Sequence, residues 1–334
     1  MTKIPFAPTK NLIKNPIIKF NSCRGTAIRI VILTFLSVTT LMQVHAQYLI
    51  PSGVKRIVFL GNSITYAGHY ITFIETYLIT RYPDRSFEII NLGLPSETVS
   101  GLSETGHAGG KFPRPDLHER LDRLLELTKP DLVFACFGIN DGIYMPFDSL
   151  RFKKYKDGIS LLHDKVTGAG AEIVLLTPPV YDDHQGNVKG YNKVLDKYSN
   201  WLLKQQNAQN WLVADIHFPM LKTLNMNRNI DSAFYFSRDG VHPGIPGHWL
   251  MAQQVLLFLG ESEAADFENI DAALAKFPKG NEILDLVTKR QTITKNAWLT
   301  TIGHNRPGMT VGSPLDSAIN VARKTEIVIR NLIK

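Results

Sequence analysis

The chain has 334 residues, 44% of them hydrophobic, and a formal net charge of +7. That length allows one large domain or two small ones with a core of ordinary size. The positive balance does not imply a nucleic-acid partner: Lys3, Lys10, Lys14, Lys19, Arg24 and Arg29 all lie in residues 1–46, which hold no acid, and without those six the 37 basic residues fall to 31 against 30 acidic ones.

In chain order, the basic first segment leads into an apolar stretch that runs from Ile30 to about Val44 and ends at Val44-His-Ala46. This is the pattern of a secretory signal cleaved before Gln47. Ser37, Thr39, Thr40 and Gln43 interrupt the stretch, which argues against a permanent membrane anchor. The expectation is an exported protein (periplasmic, outer-surface or secreted) with no stable membrane association after cleavage. Beyond residue 46 the chain keeps one cysteine, Cys136, in the apolar run Leu132–Phe137. It excludes an internal disulfide, and a thiol inside a strand acts as a small core hydrophobe.

From residue 55 to about 260, short apolar runs alternate with amphipathic ones. Arg56–Gly61, Phe87–Gly93, Asp131–Gly138, Glu172–Thr177 and Trp211–Ile216 are rich in Val, Ile, Leu and Phe and lack polar alternation, as strands buried on both faces do. Helical patterns fall between and after them, at roughly 67–82, 116–129, 148–169, 187–209 and 244–260. The alternation predicts right-handed crossovers and a three-layer α/β/α sandwich around a mostly parallel five-stranded sheet. Functional groups of such sheets gather at the carboxyl ends of the strands. Residues 261–334 differ. They predict a C-terminal helical extension, with helices near 267–290 and 314–332 around the irregular piece Thr301–Met309.

Three short segments follow predicted strands or loops at that carboxyl edge. In Leu60-Gly-Asn-Ser-Ile-Thr65, Ser63 follows the first strand; it is either a helix cap or a nucleophile whose N–H can also face an oxyanion. In Phe137-Gly-Ile-Asn-Asp-Gly142, Asn140 can offer an amide NH₂ to developing negative charge and Gly138 leaves room for close approach, although the same residues also favour a turn. In Ser237-Arg-Asp-Gly-Val-His-Pro243, Gly240 and Pro243 enforce a loop on which Asp239 can hold the Nδ1–H of His242 while Nε2 faces a serine. A metal reading would need further ligands, and no H-x-x-x-H or H-E-x-x-H pattern accompanies this one.

Together the segments resemble the SGNH, or GDSL-type, hydrolase family over about residues 55–260. The G-D-S-[LI] block is similar to Gly61-Asn-Ser-Ile64, with Asn62 in place of the usual Asp. The G-x-N-D block matches Gly138-Ile-Asn-Asp141, and the D-x-x-H block matches Asp239-Gly-Val-His242. The second block, usually N-x-G-x-x-G-D-T, reads Asn91-Leu-Gly-Leu-Pro-Ser-Glu-Thr98, so Ser96 stands where the family has its donor glycine and Gly93 is the alternative. The resemblance implies a carboxylic ester hydrolase with Ser63 as nucleophile, His242 as base and Asp239 as its orienter. It implies an oxyanion hole of Ser63, Ser96 (or Gly93) and Asn140, with no metal or other cofactor.

Five further residues are candidates for substrate contact: Asn62, Gly138, His107 and Arg114 of the long loop 95–115, and Tyr144. The division expected is a signal peptide over 1–46, a hydrolase domain over 47–260 and the extension over 261–334. A nearly neutral exported esterase without a lipid-binding stripe suits small acyl groups, above all O-acetyl, on carbohydrates. The alternatives are a lysophospholipase or broad lipolytic esterase, and a non-catalytic carbohydrate-binding protein on the same fold.

Overall fold

The branched and aromatic runs form five strands, β1 Arg56–Gly61, β2 Glu88–Asn91, β3 Leu132–Cys136, β4 Glu172–Leu176 and β5 Leu212–Ala214. This computed structural model describes residues 48–334; the expected signal segment and its cleavage site lie outside the described residues. The strands pair in parallel throughout, in the order β2-β1-β3-β4-β5. Every residue of β3 is buried, which is why this run shows no polar alternation. Phe59 of β1 stacks on Phe134 of β3 with ring centroids 4.9 Å apart.

Ten α-helices complete the described chain: α1 Ser63–Ala67, α2 His69–Arg81, α3 Leu117–Thr128, α4 Ser149–Gly168, α5 Asn192–Ala208, α6 His217–Ile230, α7 Ile245–Phe258, α8 Ile270–Leu274, α9 Gly280–Ile302 and α10 Leu315–Ile333. The first crossover, β1 to β2, runs one way along the sheet and the later ones run the other way. Right-handed connections therefore put α2 on one face and α3, α4 and α5 on the opposite face. The direction switches between β1 and β3, whose register pairs Gly61 with Cys136. A crevice at such a switch is where open parallel sheets bind ligands.

Two helical expectations need correction. α6 lies outside the helical patterns read from the sequence: its buried positions, His217, Met220 and Leu224, have helical spacing, but one of them is a histidine and Pro219 stands among them. The helix expected near 267–290 is two helices, α8 and α9, and α9 runs on into the piece expected to be irregular.

The last third packs onto the rest. Gln291 of α9 donates to the Ile89 carbonyl on edge strand β2 at 3.1 Å, so the edge is capped by a side chain and a covering helix. Arg290 and Gln291 also donate to the buried Glu75 of α2, each at 2.7 Å. Ile79, Ile283, Val287 and Ile329 form a second apolar cluster between α2, α9 and α10. Lys295 of α9 reaches the first strand's carboxyl end, where its Nζ donates to the Tyr66 carbonyl at 2.7 Å. Among the described residues, no helix is long and apolar enough to cross a membrane.

Candidate active site

Asn62, between β1 and α1, is 2% exposed, and its Oδ1 accepts the Ile64 amide at 3.1 Å. The cap of α1 is therefore Asn62, which leaves the Ser63 hydroxyl free of that duty. Asn62 is too buried and too committed for the substrate contact that the sequence suggested. Ser63 Oγ lies 2.8 Å from His242 Nε2, and His242 Nδ1 lies 2.7 Å from Asp239 Oδ2. A carboxylate only accepts, so Nδ1 carries the proton and Nε2 is left to accept from Ser63.

Asp239 also shapes the loop. Its Oδ1 accepts the amides of Val241 at 2.9 Å and His242 at 2.8 Å, an Asx-type turn that fixes the imidazole beside its own carboxylate. The loop is closed below by the Gly244 amide donating to the Phe236 carbonyl at 2.7 Å. Partial burial pushes the Asp239 carboxyl up, but the His242 ring and the two amides outweigh it and hold the group below its ordinary value. The side chains of His242 and Asp239 are 52% and 55% exposed, so this half of the site is open to water.

The other half is built into the core. Asn140, 4% exposed, donates through Nδ2 to the Glu97 carbonyl at 3.1 Å and accepts the Tyr144 hydroxyl on Oδ1 at 3.0 Å. Those two bonds fix the amide's orientation and leave one N–H unassigned. Asp141 ties the segment to the long loop: its Oδ1 accepts the amides of Val99 and Ser100, each at 2.9 Å, and its Oδ2 accepts that of Gly138 at 2.8 Å. Burial raises its pKa, and hydrogen bonds from Ser100, Gly138 and Val99 only partly offset this. Gly138 has φ +126°, and a Cβ there would sit 3.0 Å from the Pro178 ring, so its role is backbone approach rather than substrate contact.

The geometry separates the two candidate amide donors. The Gly93 amide is spent on Asn91 Oδ1 at 2.9 Å, and a Cβ there would come within 2.3 Å of the Tyr66 nitrogen. Gly93 therefore lets α1 approach the β2 end. Ser96 is left-handed, with φ +70°, a conformation that favours glycine, and among the described residues its amide has no protein acceptor. The Ser63 amide is a first-turn orphan of α1. Ser63, Ser96 and Asn140 thus each keep an uncommitted N–H.

Arg114 is not free for substrate. It grips Glu104 through Nε and Nη2, each at 2.7 Å, lies 5.4 Å over the Tyr144 ring, and reaches the Ser96 carbonyl at 3.4 Å. It braces the Ser96 turn and Tyr144. His107 donates through Nδ1 to Glu104 at 3.1 Å and packs edge-on against Phe112, so it belongs to the same brace. Tyr144 acts on Asn140 rather than standing open. Arg306 lies 5.3 Å over Phe112, which places the piece after α9 against the long loop.

Sequence reasoning missed the pair beneath this turn. Arg120 of α3 donates twice to Glu97 at 2.7 Å and once to the Leu92 carbonyl at 2.8 Å, and both side chains are fully buried. Burial pushes Glu97 up to about 7 against the pull of Arg120. Only an Arg in an otherwise apolar helix face hinted at it. His248 of α7 is also buried; burial, with lesser contributions from His69 and His242, drives it down to about 3, so it stays neutral behind His242. Cys136 is buried and its thiol is pushed up to about 12, as expected of a core residue.

Comparison with known proteins bears on the family and the fold. Residues 59–250 match the GDSL-like lipase/acylhydrolase family. An acetylxylan esterase of Geobacillus stearothermophilus is 24% identical over 232 residues, 62% of this chain and 94% of that protein. The solved structure of a catalytic mutant of an acetylxylan esterase from the same organism is 22% identical, with a TM-score of 0.50 over 63% of this chain and 96% of that one. A gut microbial diltiazem-metabolizing enzyme is 23% identical, with a TM-score of 0.51 over 64% of this chain and 48% of that one, so this chain spans about half of that protein. The five-stranded parallel fold is shared with these structures. The chain belongs to the GDSL-like lipase/acylhydrolase family and is a carboxylic ester hydrolase.

Proposed function

We propose that the protein is an exported serine esterase that removes small acyl groups, chiefly O-acetyl, from carbohydrates. The observation that carries the mechanism is the continuous path Ser63 Oγ to His242 Nε2 at 2.8 Å and His242 Nδ1 to Asp239 at 2.7 Å. Ser63 attacks the ester carbonyl while His242 takes its proton and returns it to the leaving alcohol. Asp239 holds the imidazole in the required tautomer and stabilises the imidazolium. The oxyanion is received by the amides of Ser63 and Ser96 and the side chain of Asn140. Water, activated by His242, then releases the acid from the acyl-enzyme.

The carbohydrate assignment rests on the acetylxylan esterase relative and on the near-neutral charge of the chain beyond residue 46. A second reading, a lipolytic esterase, has one observation in its favour: Tyr235 and Ile245, on either side of the His242 loop, are 43% and 49% exposed. Acetate release from acetylated xylan, mannan and pectin, measured beside nitrophenyl esters of rising chain length, separates the two. Release from one glycan, lost in Ser63→Ala, is the expected result. Activity confined to long-chain esters would move the protein to the lipolytic reading.

A further inference from the structure

A groove opens beside the segment after Asn140, separated from that residue by the stacked rings of Tyr144 and Tyr191. Its floor includes Tyr191, which stacks on Tyr144 with centroids 5.0 Å apart and donates to the Ile139 carbonyl at 2.7 Å. Its lining carries Met145 and Phe147 together with Lys189, Lys193 and Lys197. Met145 and Phe147 are 45% and 42% exposed. The groove holds about 170 Å³, below the roughly 300 Å³ at which a site encloses a whole drug-sized ligand. It suits one ring of a chain that lies along the surface.

The charge is the unexplained feature. Lys193 and Lys197 are one turn apart on α5, a like-charge spacing that disfavours a helix, and Lys189 precedes them. Among the described residues none of the three meets a carboxylate within 4.0 Å, while other surface lysines, such as Lys153 and Lys165, do. The nearby acids are turned elsewhere: Asp183 accepts the Asn192 amide and Asp196 pairs with His217. Lys189 is steadied by the carbonyls of Asp183 and Gly186, and Lys197 sits 5.0 Å over the Phe147 ring. Three lysines without a carboxylate partner, beside exposed apolar side chains, complement a ligand that brings both a carboxylate and a C–H face.

We propose that this groove is a subsite for a uronic-acid residue of an acidic glycan. Its carboxylate is received by Lys193 and Lys197, with Lys189 adding to the field, and its ring rests on Phe147 and Met145. This rests on the carbohydrate reading above and narrows it to glycans bearing acidic residues near the acetylated sugar. A lipid fits less well, because an acyl chain needs a longer apolar channel than this short, lysine-rimmed groove supplies.

The test begins with binding, which is independent of turnover. Titration of Ser63→Ala with a glucuronic-acid-bearing xylo-oligosaccharide and its neutral counterpart should show tighter binding of the acidic one. That preference should fall about tenfold in Ser63→Ala/Lys193→Ala/Lys197→Ala and shrink with added salt. In the enzyme with Ser63 intact, the ratio of kcat/KM for acidic over neutral acetylated oligosaccharide should fall to the same degree on the double lysine substitution, through KM, and Phe147→Ala should raise KM for both. If the acidic oligosaccharide binds in this way but no glycan loses acetate, the subsite stands and the deacetylase reading fails. Equal binding of the two oligosaccharides, or lysine-dependent binding of anionic lysophospholipid micelles instead, would overturn the subsite.

Discussion

Two aspartates frame the site, and they behave in opposite ways. Asp141 accepts three backbone amides and is fully buried, and its pKa is raised. Asp239 accepts two amides and an imidazole and is more than half exposed, and its pKa is lowered. Asp141 accepts no fewer hydrogen bonds than Asp239, so solvation decides the ionisation: burial removes more from Asp141 than its donors return, whereas Asp239 keeps enough water for its partners to win. The buried carboxylate knots loop to strand. The exposed one keeps its charge beside a histidine, which is what an orienting group must do.

This contrast says which substitutions should remove activity and which should unfold the protein. His242→Ala lies on the open side, so we expect kcat to fall on the order of 10⁴-fold or more with Tm nearly unchanged. Asn140→Ala should lower kcat by about 10²–10³-fold with little change in KM, the effect of losing one oxyanion donor; an equal loss in the binding of unreactive substrate would contradict that role. Asp141→Ala should act through stability. It strands three buried amides, each worth about 1–3 kcal/mol when unsatisfied, and should lower Tm by more than any change on the Asp239 loop.

The pH dependence sharpens the same comparison. A carboxyl whose folded pKa is depressed, as for Asp239, adds stability above its unfolded value of about 3.8 and loses it as pH falls through the folded pKa. A carboxyl whose folded pKa is raised, as for Asp141, favours the fold below its unfolded value and loses that contribution as pH rises through the folded pKa. The Tm deficit of Asp239→Asn should therefore widen as pH rises out of the acid range, and that of Asp141→Asn should narrow. Parallel profiles would contradict the assignment of burial as the cause. The smallest effect concerns Ser96. Its left-handed backbone disfavours a side chain by about 1–2 kcal/mol, and glycine returns about 0.5–1 kcal/mol of that in lost backbone freedom. Ser96→Gly should thus raise Tm slightly and keep activity. Loss of activity would mean that the hydroxyl, not the amide, is used.

The open half of the site was the more legible in sequence. Asp239 and His242 are three residues apart on a loop that Gly240 and Pro243 enforce, and the strand runs before Ser63 and Asn140 are unmistakably apolar. What the sequence hid is what joins distant segments. Glu97 and Arg120, Asp141 and Val99, and Lys295 and Tyr66 meet only because the sheet and α9 bring them together, and no spacing announces them. The cap at Asn62 is legible in sequence, since Asn leads among capping residues, but the neighbouring Ser63 is an equally good cap by type, and only the structure shows which of the two accepts the Ile64 amide. α6 escaped because its buried face uses His217 and Met220 where a periodic pattern is easier to see with Leu or Val. His107 and Arg114 looked available on a Gly/Pro-rich loop, yet Glu104 holds both.

The proposed chemistry stands or falls with Ser63 as a nucleophile and not merely the first residue of a helix. The most direct measurement is the intact mass of the protein after treatment with a serine-reactive fluorophosphonate, with the adduct mapped by peptide sequencing. One adduct per chain is expected, on Ser63, with none in Ser63→Ala and slow labelling in His242→Ala. Labelling at another serine, or none in the unsubstituted protein that nonetheless hydrolyses esters, would contradict it.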